Sequence, residues 1–389
     1  MKTNFTNRVL IIGGGIIGAA CAYNLAKQGA EVTLLDARTP SSGASGASDG
    51  AVSVASKKSG AMMALALEGQ AEYVRLRNEG ILSGIYKDRS TFIVARTSEE
   101  QTVLERRSKT LGSVGVQTNL LGQAEACSRI PMLTNHTKVA LEIPREGHAL
   151  GYQVVDRFIH SFGCKIRRDC PVEGLVPGSD GHIKAVKTPQ GNIETDSVII
   201  AAGLDSNKLL GSPILKPNRG QLIITQRMGP SSGQHFDGHI LSAAYLVSKG
   251  ASVSAEMGRP KVGTSIDPLQ TGQMLIGGTR EGPGDPKTNE FETIRDILSS
   301  AISLCPGLSN SRILKAFAGL RAYSPDGLPL IGRHPTLENV WIATGLEGDG
   351  ICLGPLTGRV IADLVMGRPE PASIQPFNPA RFSQLGVAA

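Results

Sequence analysis

The chain has 389 residues, 40% of them apolar and 19% charged, with 40 basic side chains against 34 acidic ones. At about 150 residues per domain this length points to two or three domains, and the apolar fraction is ample for a large core, which excludes disorder and collagen. The net charge of +6 is spread without a long basic run, so a nucleic-acid arm is not encoded.

Val9–Ile12 is an apolar run of strand length that ends at Gly13-Gly14-Gly15, and Ile17, Ala20, Cys21, Asn24 and Leu25 then recur at helical spacing until Gly29. Residues 31–36 read as a second buried strand, giving a parallel strand–helix–strand unit. The uncharged run Val9–Ala26 is broken by four glycines and carries Asn24, which predicts a soluble chain with neither a membrane span nor a signal peptide. A Gly/Ser/Ala loop follows over 41–50, then a helix over 61–77, a short strand over 90–95 and an amphipathic segment over 99–111. Residues 196–203 form another apolar strand ending in glycine. Between Gln221 and Thr279, short strands alternate with Gly/Pro/Ser turns, predicting an antiparallel or mixed sheet. A helix over 290–304, a strand over 340–344, a glycine-rich loop and a helix over 355–366 complete the pattern.

Gly13-x-Gly15-x-x-Gly18, set between strand and helix with Asp36 closing the next strand, has the order of a dinucleotide site. Gly13 permits the tight turn, Gly15 the close approach of backbone to pyrophosphate, and Gly18 the packing of helix on strand. The helix N-terminus offers N–H groups to phosphates. Asp36 suits ribose hydroxyls and repels a 2′-phosphate, which disfavours NADP. The loop 344–351 forms a second glycine-rich contact at the far end of the chain, which suits a long cofactor held at both ends; a plain strand-to-helix turn is the alternative.

Together with Ala318–Gly332, these motifs resemble the FAD-dependent D-amino-acid oxidase and glycine oxidase superfamily over nearly the whole chain. Within it, the G-x-E-G-D-G form of the last loop is similar to flavin subunits of multi-subunit opine- and hydroxyproline-type dehydrogenases. The resemblance implies an α/β fold (α+β overall). It consists of a discontinuous Rossmann-like FAD domain with a central parallel sheet (1–80, 146–215 and 317–389) and a substrate domain with a mixed or antiparallel sheet (81–145 and 216–316). It implies cofactor contacts from Gly13, Gly15, Ile16, Ile17, Gly18, Asp36, Ala37, Ser45, Gly46, Gly50, Ala51 and Val52. Further contacts fall on Val172, Ala202, Gly203, Leu346, Glu347, Gly348, Asp349, Gly350 and Ile351, with the last helix directing its N-terminus at the flavin. No His or Cys stands at the positions where some relatives attach FAD, so a non-covalent cofactor is implied.

Arg321 matches the family arginine that pairs with a substrate carboxylate; pairing with Asp326 is the alternative. Tyr245 matches a substrate-contacting tyrosine or is a core aromatic. The implied reaction is oxidation of the C–N bond of a small amino or imino acid, with hydride passing from Cα to flavin N5 and the imine then hydrolysed. The implied setting is the flavin subunit of a cytoplasmic oligomeric dehydrogenase, with a ferredoxin-like or second flavin subunit as redox partner and contact to the inner membrane only through such partners. A stand-alone oxidase producing hydrogen peroxide, a flavin-dependent tRNA-modifying protein and a non-enzymatic FAD-binding subunit are the alternatives. The charge pattern does not favour the tRNA reading.

Other candidates are set aside. Cys21, Cys127, Cys164, Cys170, Cys305 and Cys352 form no C-x-x-C pair, and His235 and His239 lie in strand-like sequence, so no metal site is expected. Lys57-Lys58 reads as a solvated pair, with attraction of an anionic substrate as the alternative, and Cys164 and Cys170 as buried or idle thiols, with partial ionisation beside Arg167-Arg168 as the alternative.

Overall fold

The computed structural model describes residues 8–161, 163–228, 236–244, 246, 261–382 and 385. Strands Arg8–Ile12, Ser197–Ile200 and Val340–Thr344 are apolar along nearly their whole length and buried on both faces, as central parallel strands require. They lie side by side in a six-stranded sheet, continued on one side by Glu31–Leu35 and Lys165–Arg167 and on the other by Leu330–Arg333. Every pairing is parallel except that of the last edge strand. The α/β reading therefore holds, and the carboxyl ends of three strands from the start, middle and end of the chain open on one crevice.

The helix Ile16–Lys27 packs on this sheet and against the last helix, Gly350–Val365. Glycines set the distance. A side chain on Gly354 would stand 2.7 Å from Ile16, and one on Gly358 would collide with Ala20. A third helix, Ala61–Asn78, approaches the last one at Gly69, where a Cβ would meet the Cys352 carbonyl at 2.5 Å.

The last helix begins at Gly350, one turn earlier than Pro355 suggests. Pro355 has no N–H to give the Ile351 carbonyl four residues back, which ordinarily ends or kinks a helix. Here the buried Tyr73 hydroxyl donates to that carbonyl at 2.7 Å and satisfies it.

The second large sheet has nine strands and is mixed, as the turn-rich pattern predicts. Its order begins Ile313–Tyr323, Lys216–Thr225, Met274–Arg280, Lys261–Pro268 and Gly238–Ser242. It continues through Lys87–Ala95 and Val139–His148 to Ala51–Val52, and Asn119–Gly122 pairs with Val139–His148. The helix Phe291–Leu304 covers one face of it. Strands over 174–194 make a small third sheet. Among the described residues no helix is long and apolar enough to cross a membrane.

His148 sits where the Gly/Ser loop joins the large sheet, opposite Ala51, and its Nε2 donates to the Asp49 carbonyl at 2.9 Å. Burial, with the Arg89 guanidinium nearby, lowers its pKa to about 3. The unfolded imidazole titrates near 6.5. The unfolded chain therefore takes up a proton that the folded chain refuses, and stability present above pH 6.5 is lost as pH falls toward 3. His148→Gln should flatten the fall of the unfolding midpoint between pH 7 and pH 5; a slope equal to that of the unaltered protein would assign the acid sensitivity elsewhere.

Candidate cofactor and substrate site

A cleft of about 420 Å³ runs between the two large sheets, from the first glycine turn to the last. At one end the strand Arg8–Ile12 stops at Gly13, whose φ of +108° and lack of a side chain let the turn lie 2.5 Å, measured from a hypothetical Cβ, from the Ala201 carbonyl. Gly15, Ile16 and Ile17 line the cleft at the helix N-terminus. The Ile16 N–H donates to the Ser45 hydroxyl at 3.0 Å, so the Gly/Ser loop is tied to the helix start. Gly18 lies behind, packed so closely on the Gly13 carbonyl that a Cβ would collide with it.

Asp36 and Ala37 line the cleft beyond the second strand. The Asp36 carboxylate accepts the Gly14 N–H at 2.7 Å and the Arg38 N–H at 2.8 Å, which fixes it at the lip of the turn. Val172, Ala202 and Gly203 complete this end. Gly46, Gly50, Ala51 and Val52 do not reach the cleft. A Cβ on Gly46 would collide with the Ser41 carbonyl, while Gly50 takes a φ of +84° against His148, and Ala51–Val52 enters the large sheet.

At the other end Leu346, Glu347, Gly348, Gly350 and Ile351 line the cleft, with the last helix presenting its N-terminus there. Asp349 is turned away: its carboxylate is buried and paired with Lys57 Nζ at 2.6 Å. The expectation of a solvated Lys57 is thus corrected, since its side chain is only 6% exposed. Glu347, at φ +50°, pairs with Arg280 and accepts from Asn218 Nδ2 at 2.8 Å. Both acids of this loop are matched by their own cation.

Arg321, half-buried on the strand Ile313–Tyr323, lines the same cleft. Its Nη1 donates to the carbonyls of Thr279 at 3.1 Å and Arg219 at 3.4 Å. No carboxylate of the described residues pairs with it, and Asp326 is held instead by Arg381 at 2.7 Å. The guanidinium lies across Gly220, where even a methyl group would collide with it. Tyr245 and His235 lie outside the described residues. His239 is buried in the strand Gly238–Ser242, and no group of metal-binding side chains occurs among the described residues. Burial raises the Cys164 thiol pKa, as suits an idle cysteine.

Three residues of the cleft region escaped the sequence reading. Gly220, an isolated glycine inside a strand, carried a signal of close approach. Arg280, at the end of an apolar strand, and the buried Lys57 carried none, because their partners are distant in sequence.

The chain belongs to the FAD dependent oxidoreductase family, whose model matches residues 8–364. It is 28% identical to a glycine oxidase of Pseudomonas aeruginosa over 96% of this chain and 99% of that one. It is 24% identical to the hydrogen cyanide synthase subunit HcnC of the same species, over 97% of each chain. The crystal structure of glycine oxidase from Geobacillus kaustophilus superposes with a TM-score of 0.84 at 25% identity, covering 97% of this chain and all of that one. The protein is an FAD-dependent oxidoreductase. Its cleft fits the cofactor on its own evidence: glycine turns open both ends, two helix N-termini face it, and Asp36 is fixed at its rim.

Two outcomes test this geometry. Gly13→Val should purify with little or no yellow colour, read as the ratio of flavin to protein absorbance, because the turn can no longer lie against Ala201. Lys57→Met removes the cation held against the buried Asp349 carboxylate and should cost about 3–5 kcal/mol, seen as a lower unfolding midpoint of the flavin-loaded protein.

Proposed function

We propose that this oxidoreductase oxidises the C–N bond of a small carboxylated amine or imino acid. The observation that carries the reading is Arg321. It is a guanidinium on the cofactor cleft, held in place by two carbonyls, with no carboxylate of the described residues against it. A planar guanidinium takes a carboxylate through two parallel hydrogen bonds, which fixes the substrate's distance and its orientation together. Gly220 supplies the space in which the guanidinium lies flat.

Bound FAD, held without a covalent link, supplies the two-electron acceptor for hydride leaving Cα, and the resulting imine hydrolyses in water. The chain's own contribution is positional and electrostatic. Arg321 anchors the carboxylate, the closing loop 346–351 covers the reacting end, and the last helix sets the positive end of its dipole there. Positive charge beside the substrate favours loss of the ammonium proton, so the amine reacts in its neutral form without a dedicated base. In this reading residues 1–80, 146–215 and 317–389 hold the cofactor, while 81–145 and 216–316 shape the substrate side.

The G-x-E-G-D-G loop supports a flavin subunit that passes electrons to a partner protein; the likeness to glycine oxidases favours a stand-alone oxidase instead. Reoxidation of the reduced protein by air separates the two, being fast for an oxidase and slow for a dehydrogenase subunit.

Arg321→Ala should lower kcat/KM for carboxylated amines by about 2–5 kcal/mol, with flavin still bound. A loss of less than about tenfold sinks the assignment, since a buried guanidinium–carboxylate pair is worth more than that.

A further inference from the structure

The first turn of the last helix is held from outside that helix. Gly350 and Ile351, its first two residues, line the cofactor cleft. The Ile351 carbonyl would ordinarily accept from the N–H of residue 355, and Pro355 has none. The Tyr73 hydroxyl takes that place at 2.7 Å. Burial raises its pKa well above the ordinary tyrosine value, so it keeps its proton and donates. Ala66, Gly69 and Tyr73, spaced by three and four residues, share one face of Ala61–Asn78. The Ala66 carbonyl accepts from Cys352 Sγ at 3.7 Å, and Gly69 is bare where a Cβ would stand 2.5 Å from the Cys352 carbonyl. One helix face thus cradles residues 351 and 352. Two turns further on, Glu72 pairs with Arg359 at 3.0 Å, and the Tyr73 ring lies 5.1 Å from that of Tyr86. Neither contact needs the Tyr73 hydroxyl.

We propose that Tyr73 is a positioning residue for the cofactor: by supplying the donor that Pro355 lacks, it keeps the first turn of the last helix directed at the cleft and so raises the reduction potential of the bound flavin. This rests on the reading above, in which that helix end stabilises the negative charge gained on reduction. The leading N–H groups of a helix have no carbonyl within it to meet, and the partial positive charge they carry acts only over the first turn. Without the hydroxyl, the buried Ile351 carbonyl has lost its donor, and the helix relieves this by starting later. A start one turn later moves the positive end back by about 5.4 Å. The reduced cofactor, being the more negative form, loses more by this than the oxidised one.

The test uses the flavin-loaded full chain and reads the two-electron reduction potential against a reference dye, with no amine present. Tyr73→Phe should shift the equilibrium at least about tenfold toward the oxidised flavin, a fall of about 30 mV. Pro355→Ala restores an N–H at position 355, which can donate to the Ile351 carbonyl. In that background Tyr73→Phe should shift the equilibrium by less than about threefold, so the two substitutions are coupled. With a carboxylated amine that bleaches the flavin, Tyr73→Phe should lower kcat and leave KM within about twofold, since Arg321 is untouched.

A shift below about twofold, or about 9 mV, for Tyr73→Phe in the otherwise unaltered protein overturns the proposal. It does so even where the unfolding midpoint drops, because the hydroxyl then serves stability alone. An equal shift in both backgrounds overturns it as well, since the hydroxyl then does not stand in for the missing N–H of residue 355. The expected potentials in a protein whose flavin no amine reduces would remove the reaction assigned above while leaving Tyr73 its role. Arg321-dependent amine oxidation with an unmoved potential would do the reverse.

Discussion

The site depends on one close approach, that of the first helix to the last. The residues that line the cleft come from opposite ends of the chain, and they meet there because Gly354 and Gly358 let Gly350–Val365 lie directly on Ile16 and Ala20. The parallel pairings among Arg8–Ile12, Ser197–Ile200 and Val340–Thr344 bring the carboxyl ends of the same strands into line. Helix contact and strand register thus impose the same geometry. Larger residues at 354 or 358 would push the closing loop away from the first glycine turn while leaving each loop locally intact.

That closing loop carries two acids beside a cleft that fits a cofactor gaining negative charge on reduction, which at first sight opposes the chemistry. The structure resolves the conflict by pairing. Asp349 is buried against Lys57, and Glu347 is shared by Arg280 and Asn218. The Lys57 pair also joins the segment after the Gly/Ser loop to the start of the last helix, so one ion pair links the segments that flank the cleft at its two ends. Burial makes this link strong only while both members are present, since either charge alone is costly in that environment.

Much of this was legible from residues alone, for a physical reason. Strands such as Val9–Ile12 and Val340–Thr344 announce themselves because both faces are buried, and Gly13, Gly15 and Gly18 because backbone sterics leave few substitutes there. What stayed hidden depends on contacts between distant positions. Pro355 looks like a helix start, and only the Tyr73 hydroxyl, from a helix nearly 300 residues earlier, allows it to sit inside one. Lys57 looks solvated until Asp349 closes over it. Arg280 looks like the end of a strand until Glu347 and Gly348 arrive from the C-terminal loop.

The strand pair Lys216–Thr225 and Ile313–Tyr323 shows how the large sheet becomes one wall of the cleft. Gly220 faces Gly319 and Asn218 faces Arg321 across the antiparallel register, and alternation along each strand puts all four on the same face. Gly319 is kept bare by Ala47 of the Gly/Ser loop, whose Cβ would stand 2.7 Å from a side chain there. Gly220 is kept bare by the guanidinium of Arg321, the residue diagonal to it. Asn218 reaches on to Glu347, which orients Arg280. A single face of two strands therefore admits the Gly/Ser loop, seats one arginine directly and sets the other through two intermediaries. The positions of both cations follow from a pair of missing side chains, because any residue larger than glycine at 220 would lift Arg321 from the wall and alter its separation from Arg280.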